Sequence, residues 1–197
     1  MKPGMKMSTG STAIAWLDHG PSHQVSSHHY CLLLNNDGKS PEELEAHAKA
    51  TLKDPGYRVL RHDKLAHAVV FDGGGAEGDV YSYIVYAGDQ PLGLPHVASV
   101  NKRLNLMMQR NADGHLVLSV ADPLVDLEKD SKSPAHGYSK DRQIQVRFAD
   151  GLKVELLSGT SGLPQTNPPL DAKIEDGTLS YITRNGVTDT FVISLGD

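Results

Sequence analysis

The chain has 197 residues, 39% hydrophobic and 22% charged, which suits one sizeable folded domain or two small ones and excludes a disordered chain. Its formal charge of -5 and pI near 6.0 lack the basic excess of a nucleic-acid binder. Basic clusters are only pairs such as Lys102-Arg103, so the net field opposes a polyanion unless a local basic patch offsets it.

In chain order, residues 1–11 carry Lys2 and Lys6 among Met, Gly and Ser without an apolar core, and read as a disordered leader rather than a secretion signal. No stretch approaches the roughly 20 apolar residues of a membrane helix. Thr12 to Leu17 reads as a strand ended by the turn Asp18-His19-Gly20-Pro21. His28 to Leu34 follows as a strand whose apolar run points to burial on both faces. Ser40, Pro41 and Glu43 then form a capping box that opens a helix, with Leu44, Ala48 and Leu52 as its apolar stripe and Asp54-Pro55-Gly56 as its stop.

Strands are expected at Tyr57 to Arg61, Leu65 to Phe71 and Val80 to Tyr86, the last alternating with Tyr81, Tyr83 and Val85 on one face. Residues 89–100, with Pro91, Gly93 and Pro95, read as a linker. Beyond it come strands at Asn105 to Arg110, His115 to Val120, Gln143 to Phe148, Leu152 to Leu157, Lys173 to Glu175, Thr178 to Arg184 and Val187 to Ser194. Asp113-Gly114, Asp150-Gly151, Asp176-Gly177 and Asn185-Gly186 mark hairpin turns between them. The expected fold is mainly β: residues 12–88 as the end of a larger antiparallel β-sandwich with one short helix, then residues 101–197 as a small C-terminal β-sandwich.

Several clusters carry residue types used in chemistry. His19, His23, His28 and His29 are close in sequence, yet His28 and His29 point to opposite faces of a strand and cannot share one metal ion without distortion. Cys31, the single cysteine, reads as a buried thiol; a nucleophilic role needs His28 or His29 to activate it. Asp18-His19 reads as an Asp bonded to its own turn with a packed His beside it. Gly73-Gly74-Gly75 opens no helix and precedes no Lys-Ser/Thr, so it is not a phosphate loop, and Asp72, Glu77 and Asp79 around it read as an exposed acidic loop rather than a calcium site. Tyr81, Tyr83 and Tyr86, with Trp16 and Tyr30, are candidates for sugar stacking, against a plain core role.

The order of Asp18-His19-Gly20, His29-Tyr30, the helix opened by Ser40-Pro41-Glu42-Glu43, Tyr57-Arg58-Val59-Leu60, and Asp113-Gly114-His115-Leu116 through Asp122-Pro123 resembles the distal part of the family 8 polysaccharide lyases. These are the chondroitinase and hyaluronate lyase group, with the chondroitin ABC-type enzymes as the nearest subgroup. The likeness spans residues 12–195. It implies secretion or a periplasmic location, and glycosaminoglycan cleavage by β-elimination at a uronic acid. It places the catalytic Asn, His, Tyr and Arg in an upstream helical toroid with no counterpart here, so no catalytic residue, metal or cofactor is assigned. The expected role is a non-catalytic C-terminal region that supports the toroid and the substrate cleft. Its partners are then the upstream lyase domains and an acidic polysaccharide, with no nucleic acid or membrane. An uncovered apolar face is expected in the N-terminal half, around Leu32-Leu33-Leu34. The alternative is a free-standing carbohydrate-binding module, which needs an exposed aromatic pair or a groove drawn from Lys102, Arg103, Arg110, Arg142 and Arg147. A third reading, a metal- or thiol-dependent enzyme, needs His19, His23 and His28 or His29 to converge.

Overall fold

The computed structural model describes residues 38–73, 78–124, 141–162, 171–183 and 186–196. Two compact units divide the chain, Met1–Ala48 and Lys49–Asp197. Helix α1 spans Pro41–Lys53. Its start is closed reciprocally: the Ser40 amide donates to Glu43 Oε2 at 2.8 Å and the Glu43 amide to Ser40 Oγ at 3.3 Å. These bonds hold the Glu43 carboxyl below its ordinary range. Leu44 and Ala48 are half-buried but Leu52 is 85% exposed, so local capping rather than a buried face specifies this helix.

The second unit is an antiparallel β-sandwich. Its strands are β1 (Tyr57–His62), β2 (Ala66–Phe71), β3 (Val80–Val85), β4 (Val97–Val100), β5 (Leu104–Arg110), β6 (Leu116–Ala121), β7 (Arg142–Phe148), β8 (Lys153–Thr160), β9 (Lys173–Glu175), β10 (Thr178–Thr183) and β11 (Thr188–Gly196). One sheet has seven strands in the order β1-β2-β3-β5-β6-β11-β8, and the other has four in the order β4-β7-β10-β9. The mainly β, sandwich expectation is met. The division at 89–100 takes a different form: β3 pairs β5 across it, with Tyr81 opposite Met108 and Val85 opposite Leu104, so strands on both sides share one sheet.

The segment expected as a linker is also built into the sandwich. Leu92 and Leu94 are buried, Val97–Val100 forms β4, and the Asp89 and Leu92 amides donate to the Val100 and Ala98 carbonyls at 2.7 and 2.8 Å. Arg61 reaches the Leu92 carbonyl through Nη1. Gly88 is needed where this segment departs, since a Cβ there would lie 2.3 Å from the Asn101 carbonyl oxygen.

Alternation sends every second side chain into one core. Ala68, Tyr83, Leu106, Leu118 and Phe191 come from the large sheet, and Val97, Ile144, Val146, Phe148, Leu179 and Tyr181 from the small one. Phe191 and Tyr181 meet between the sheets with ring centroids 4.7 Å apart. The Asp176-Gly177 turn has φ 47° and 70°, the double left-handed geometry of a tight two-residue hairpin, and joins β9 to β10 as expected.

One end of the sandwich is sealed by buried polar groups. Asp122, just past β6, forms an ion pair with Arg142 at the start of β7, their side chains 1% and 13% exposed. The Asp122 Oδ1 atom also accepts the Leu124 amide at 2.9 Å. Beside them, the Thr183 hydroxyl donates to Asp189 Oδ2 at 2.6 Å. Burial pushes the Asp189 carboxyl above its ordinary range, and the Thr183 and Ser161 hydroxyls and the Gly162 amide oppose that rise. These contacts tie β10 to β11 and β7 to the end of β6, one strand from each sheet in each case.

The outer face of the large sheet is different. The registers place Tyr57, Val59, His62, His67, Val69, Phe71, Val80, Ser82, Ile84, Asn105, Met107, Gln109, Val117, Ser119, Ala121, Thr188, Thr190 and Val192 on it. None of these is Asp, Glu, Lys or Arg; charge enters the face only at the edge strand β8, where Glu155 and Lys153 lie opposite Ser194 and Gly196 of β11. Phe71, Ile84 and Met107 are 46%, 44% and 50% exposed.

The buried ion pair carries a test. Arg142→Met leaves Asp122 charged without its cation and is expected to cost about 3–5 kcal/mol in urea unfolding, with the double variant Asp122→Leu/Arg142→Met regaining much of it. A loss below about 1 kcal/mol for the single variant contradicts a sealing role.

Candidate functional site

The other end of the sandwich is open. Tyr81 is the second residue of β3, Arg110 the last of β5 and Leu116 the first of β6. Antiparallel pairing brings these positions to the same end of the sheet, with Tyr81 opposite Met108 and Arg110 opposite Leu116. Because Met108 and Leu116 are core residues, Tyr81 and Arg110 project on the inner side, where the sheets part. With Gly78, Asp79, His96 and Gln109 they line a cleft of about 350 Å³.

His96 enters from the small sheet. It precedes β4, and its carbonyl accepts the Ala149 amide at 3.0 Å, just beyond the Val97–Phe148 pairing. Its φ of 66° lies in the left-handed region that a side chain other than glycine adopts at a cost. The approach is fixed one residue earlier, where the Tyr83 hydroxyl donates to the Pro95 carbonyl at 2.8 Å. The His96 ring stands edge-on to Tyr81, centroids 5.1 Å apart and planes at 89°. Burial first, and the Arg110 charge second, push the imidazole below its ordinary 6.5, so it is neutral at pH 7.

Among the described residues Arg110 is held by one bond, Nη1 to the Gly114 carbonyl at 2.9 Å, across the β5–β6 turn. That turn is itself ordered: Asn111 Oδ1 accepts the Asp113 and His115 amides at 3.1 and 2.9 Å. Asp79 on the rim is engaged by Arg58, whose Nη2 lies 3.5 Å away while its Nε lies 3.5 Å from Asp72. The cleft therefore joins a positioned guanidinium, a neutral imidazole, a tyrosine and an apolar floor at Leu116. Those are the elements of an anion- or sugar-binding surface.

The sequence candidates divide among different places. Of the stacking tyrosines, Tyr81 lines the cleft, Tyr83 is fully buried, and Tyr86 hydrogen-bonds His67 Nδ1 at 3.1 Å. The basic candidates form no common groove: Arg142 is paired with Asp122, Arg147 with Asp150 at 3.1 Å, and Lys102 and Arg103 lie in the turn after β4. Asp72 and Asp79 share Arg58, and Glu77 lies outside the described residues. So do Trp16, Asp18, His19, His23, His28, His29, Tyr30 and Cys31. Among the described residues no three metal-ligating side chains converge, and no helix is long and apolar enough to cross a membrane. His96 is the residue that sequence reading passed over. Its available signal was a lone His between Pro95 and the apolar run that becomes β4.

A scan against protein-family models matches no family, and a search of the curated proteins finds no match.

The His96 geometry predicts an NMR titration midpoint below 6.5. Arg110→Gln is expected to move that midpoint upward, because removing a nearby positive charge eases protonation. A midpoint at or above 6.5 in the unaltered chain would show that His96 is neither buried nor beside the guanidinium.

Proposed function

We propose that this chain is the distal, non-catalytic β-sandwich portion of a glycosaminoglycan lyase of the family 8 type, secreted or periplasmic, supporting an upstream catalytic toroid and its substrate cleft. The observation that carries the reading is the outer face of β1, β2, β3, β5, β6 and β11, which bears no Asp, Glu, Lys or Arg and exposes Phe71, Ile84 and Met107; charge enters that face only at the edge strand β8, through Lys153 and Glu155. Six adjacent strands without a charged side chain on one face, bounded by a charged edge strand, favour burial of that face against another layer of protein. A preceding sandwich of such a lyase is the partner that the motif order implies. The Asp113-Gly114-His115-Leu116 hairpin through Asp122-Pro123 supports it further, since its apolar positions Leu116, Leu118 and Val120 are core and Asp122 is ion-paired.

The second reading, a free-standing carbohydrate-binding module, is favoured by the Tyr81–His96–Arg110 cleft. Both readings place an acidic glycan at this protein and bond cleavage elsewhere.

Incubated alone with chondroitin sulfate, dermatan sulfate or hyaluronan, the chain is expected to generate no ultraviolet absorbance of an unsaturated uronate. A reproducible rise from a lyase-free preparation overturns the non-catalytic assignment. Sedimentation separates the two readings. An uncovered lyase sandwich self-associates with rising concentration, and Ile84→Lys/Met107→Lys abolishes that association. A free-standing module stays monomeric throughout.

A further inference from the structure

We infer that the cleft between Tyr81, His96 and Arg110 is a subsite for the carboxylate of a uronate sugar. The choice of an acidic sugar rests on the proposed function; the site itself rests on the geometry.

The argument begins with where positive charge is already cancelled. Arg58 is engaged by Asp72 and Asp79, Arg61 by Asp63 at 2.9 Å, Arg142 by Asp122 and Arg147 by Asp150. Arg110 has no carboxylate among the described residues; it donates only to the Gly114 carbonyl, through Nη1. Its charge is thus directed at the cleft while one N–H fixes its position. The remaining guanidinium edge suits a planar carboxylate, which accepts two parallel N–H bonds.

The rest of the lining fits a sugar ring. A volume of about 350 Å³ lies at the small end of ligand sites and matches one or two sugar units rather than an extended chain. The neutral His96 ring supplies a hydrogen-bond donor and acceptor for hydroxyl groups without adding a second full charge. The partly exposed Tyr81 ring offers the apolar surface that sugar C–H groups pack against. The chain's net charge of -5 repels a polyanion at long range, so the binding depends on this one local cation and weakens with added salt.

An anion seated on Arg110 acts on its neighbour. The groups facing His96 in the cleft are Arg110, Tyr81 and Asp79, the last held by Arg58. Offsetting the Arg110 charge raises the His96 titration midpoint, a response that glycan bound on the outer sheet face would not produce.

The experiment is an NMR titration of the full chain with a hyaluronan tetrasaccharide, which carries uronate carboxylates and no sulfate, and with its carboxyl methyl ester. The acid is expected to shift the His96 ring signals and raise its midpoint, and the ester to do neither. Arg110→Gln is expected to weaken binding of the acid by about tenfold or more. Arg147→Gln, which alters an arginine already paired with Asp150, is expected to leave it unchanged. Equal binding of acid and ester, unchanged affinity in Arg110→Gln, or shifts that spare His96 overturn the subsite. A sulfated tetrasaccharide that binds while the hyaluronan one does not assigns the cleft to sulfate and also overturns it. Arg110 is exposed at a strand end, and an unchanged urea midpoint for Arg110→Gln confirms the fold; should that variant unfold, the acid–ester comparison on the unaltered chain decides alone. Cleavage of glycan by the chain would defeat the non-catalytic assignment and leave the subsite standing, so the two failures are distinguishable.

Discussion

The pairing of β3 with β5 is the constraint on which the rest of the molecule depends. It joins residues separated by the whole 86–103 segment, and it turns two candidate sheets into one seven-stranded sheet. Without it, Tyr83 and Val85 would have no common core with Leu104 and Leu106, and the four-stranded sheet would cover only part of its partner. The cleft depends on the same seam, because Tyr81 comes from one strand and Arg110 from the other. Loop closure of this length costs little more than a shorter one, and the buried side chains on both strands offset it.

The two ends of the sandwich solve opposite problems. At one, charged groups that alternation drives inward at Asp122, Arg142 and Asp189 find one another or a hydroxyl, so desolvation is met by pairing. At the other, a charged group projects inward at Arg110 but the sheets have parted, and no carboxylate among the described residues answers it. The difference between a sealed and a receptive end is thus one of partner supply, not of residue type. His96 sharpens it, since the chain holds that residue at a costly φ to bring an imidazole beside the guanidinium.

Much of this was legible locally. Alternation in Tyr81, Tyr83 and Val85, the Asp-Gly turns, and the Ser40–Glu43 capping box all specify geometry within a few residues, and the structure realises them. What sequence reading missed depends on distant partners. Pro91, Gly93 and Pro95 looked like a linker because nothing local reveals that β7 waits to pair with Val97–Val100. Arg110 and Tyr81 were recognised as useful residue types, but their meeting with His96 follows from strand order and register, which alternation alone leaves open. Arg142 illustrates the reverse case: grouped with exposed cations by type, it is spent on a buried carboxylate.

The most direct test of this account is native-state hydrogen exchange across the β3–β5 seam. If the sandwich is one cooperative unit, the hydrogen-bonded amides of β2 and β3 exchange with the same opening free energy as those of β5, β6 and β11. If β1 to β3 instead open in a separate step at much lower free energy, the seam does not hold the molecule together, and neither the shared core nor the cleft built across it survives.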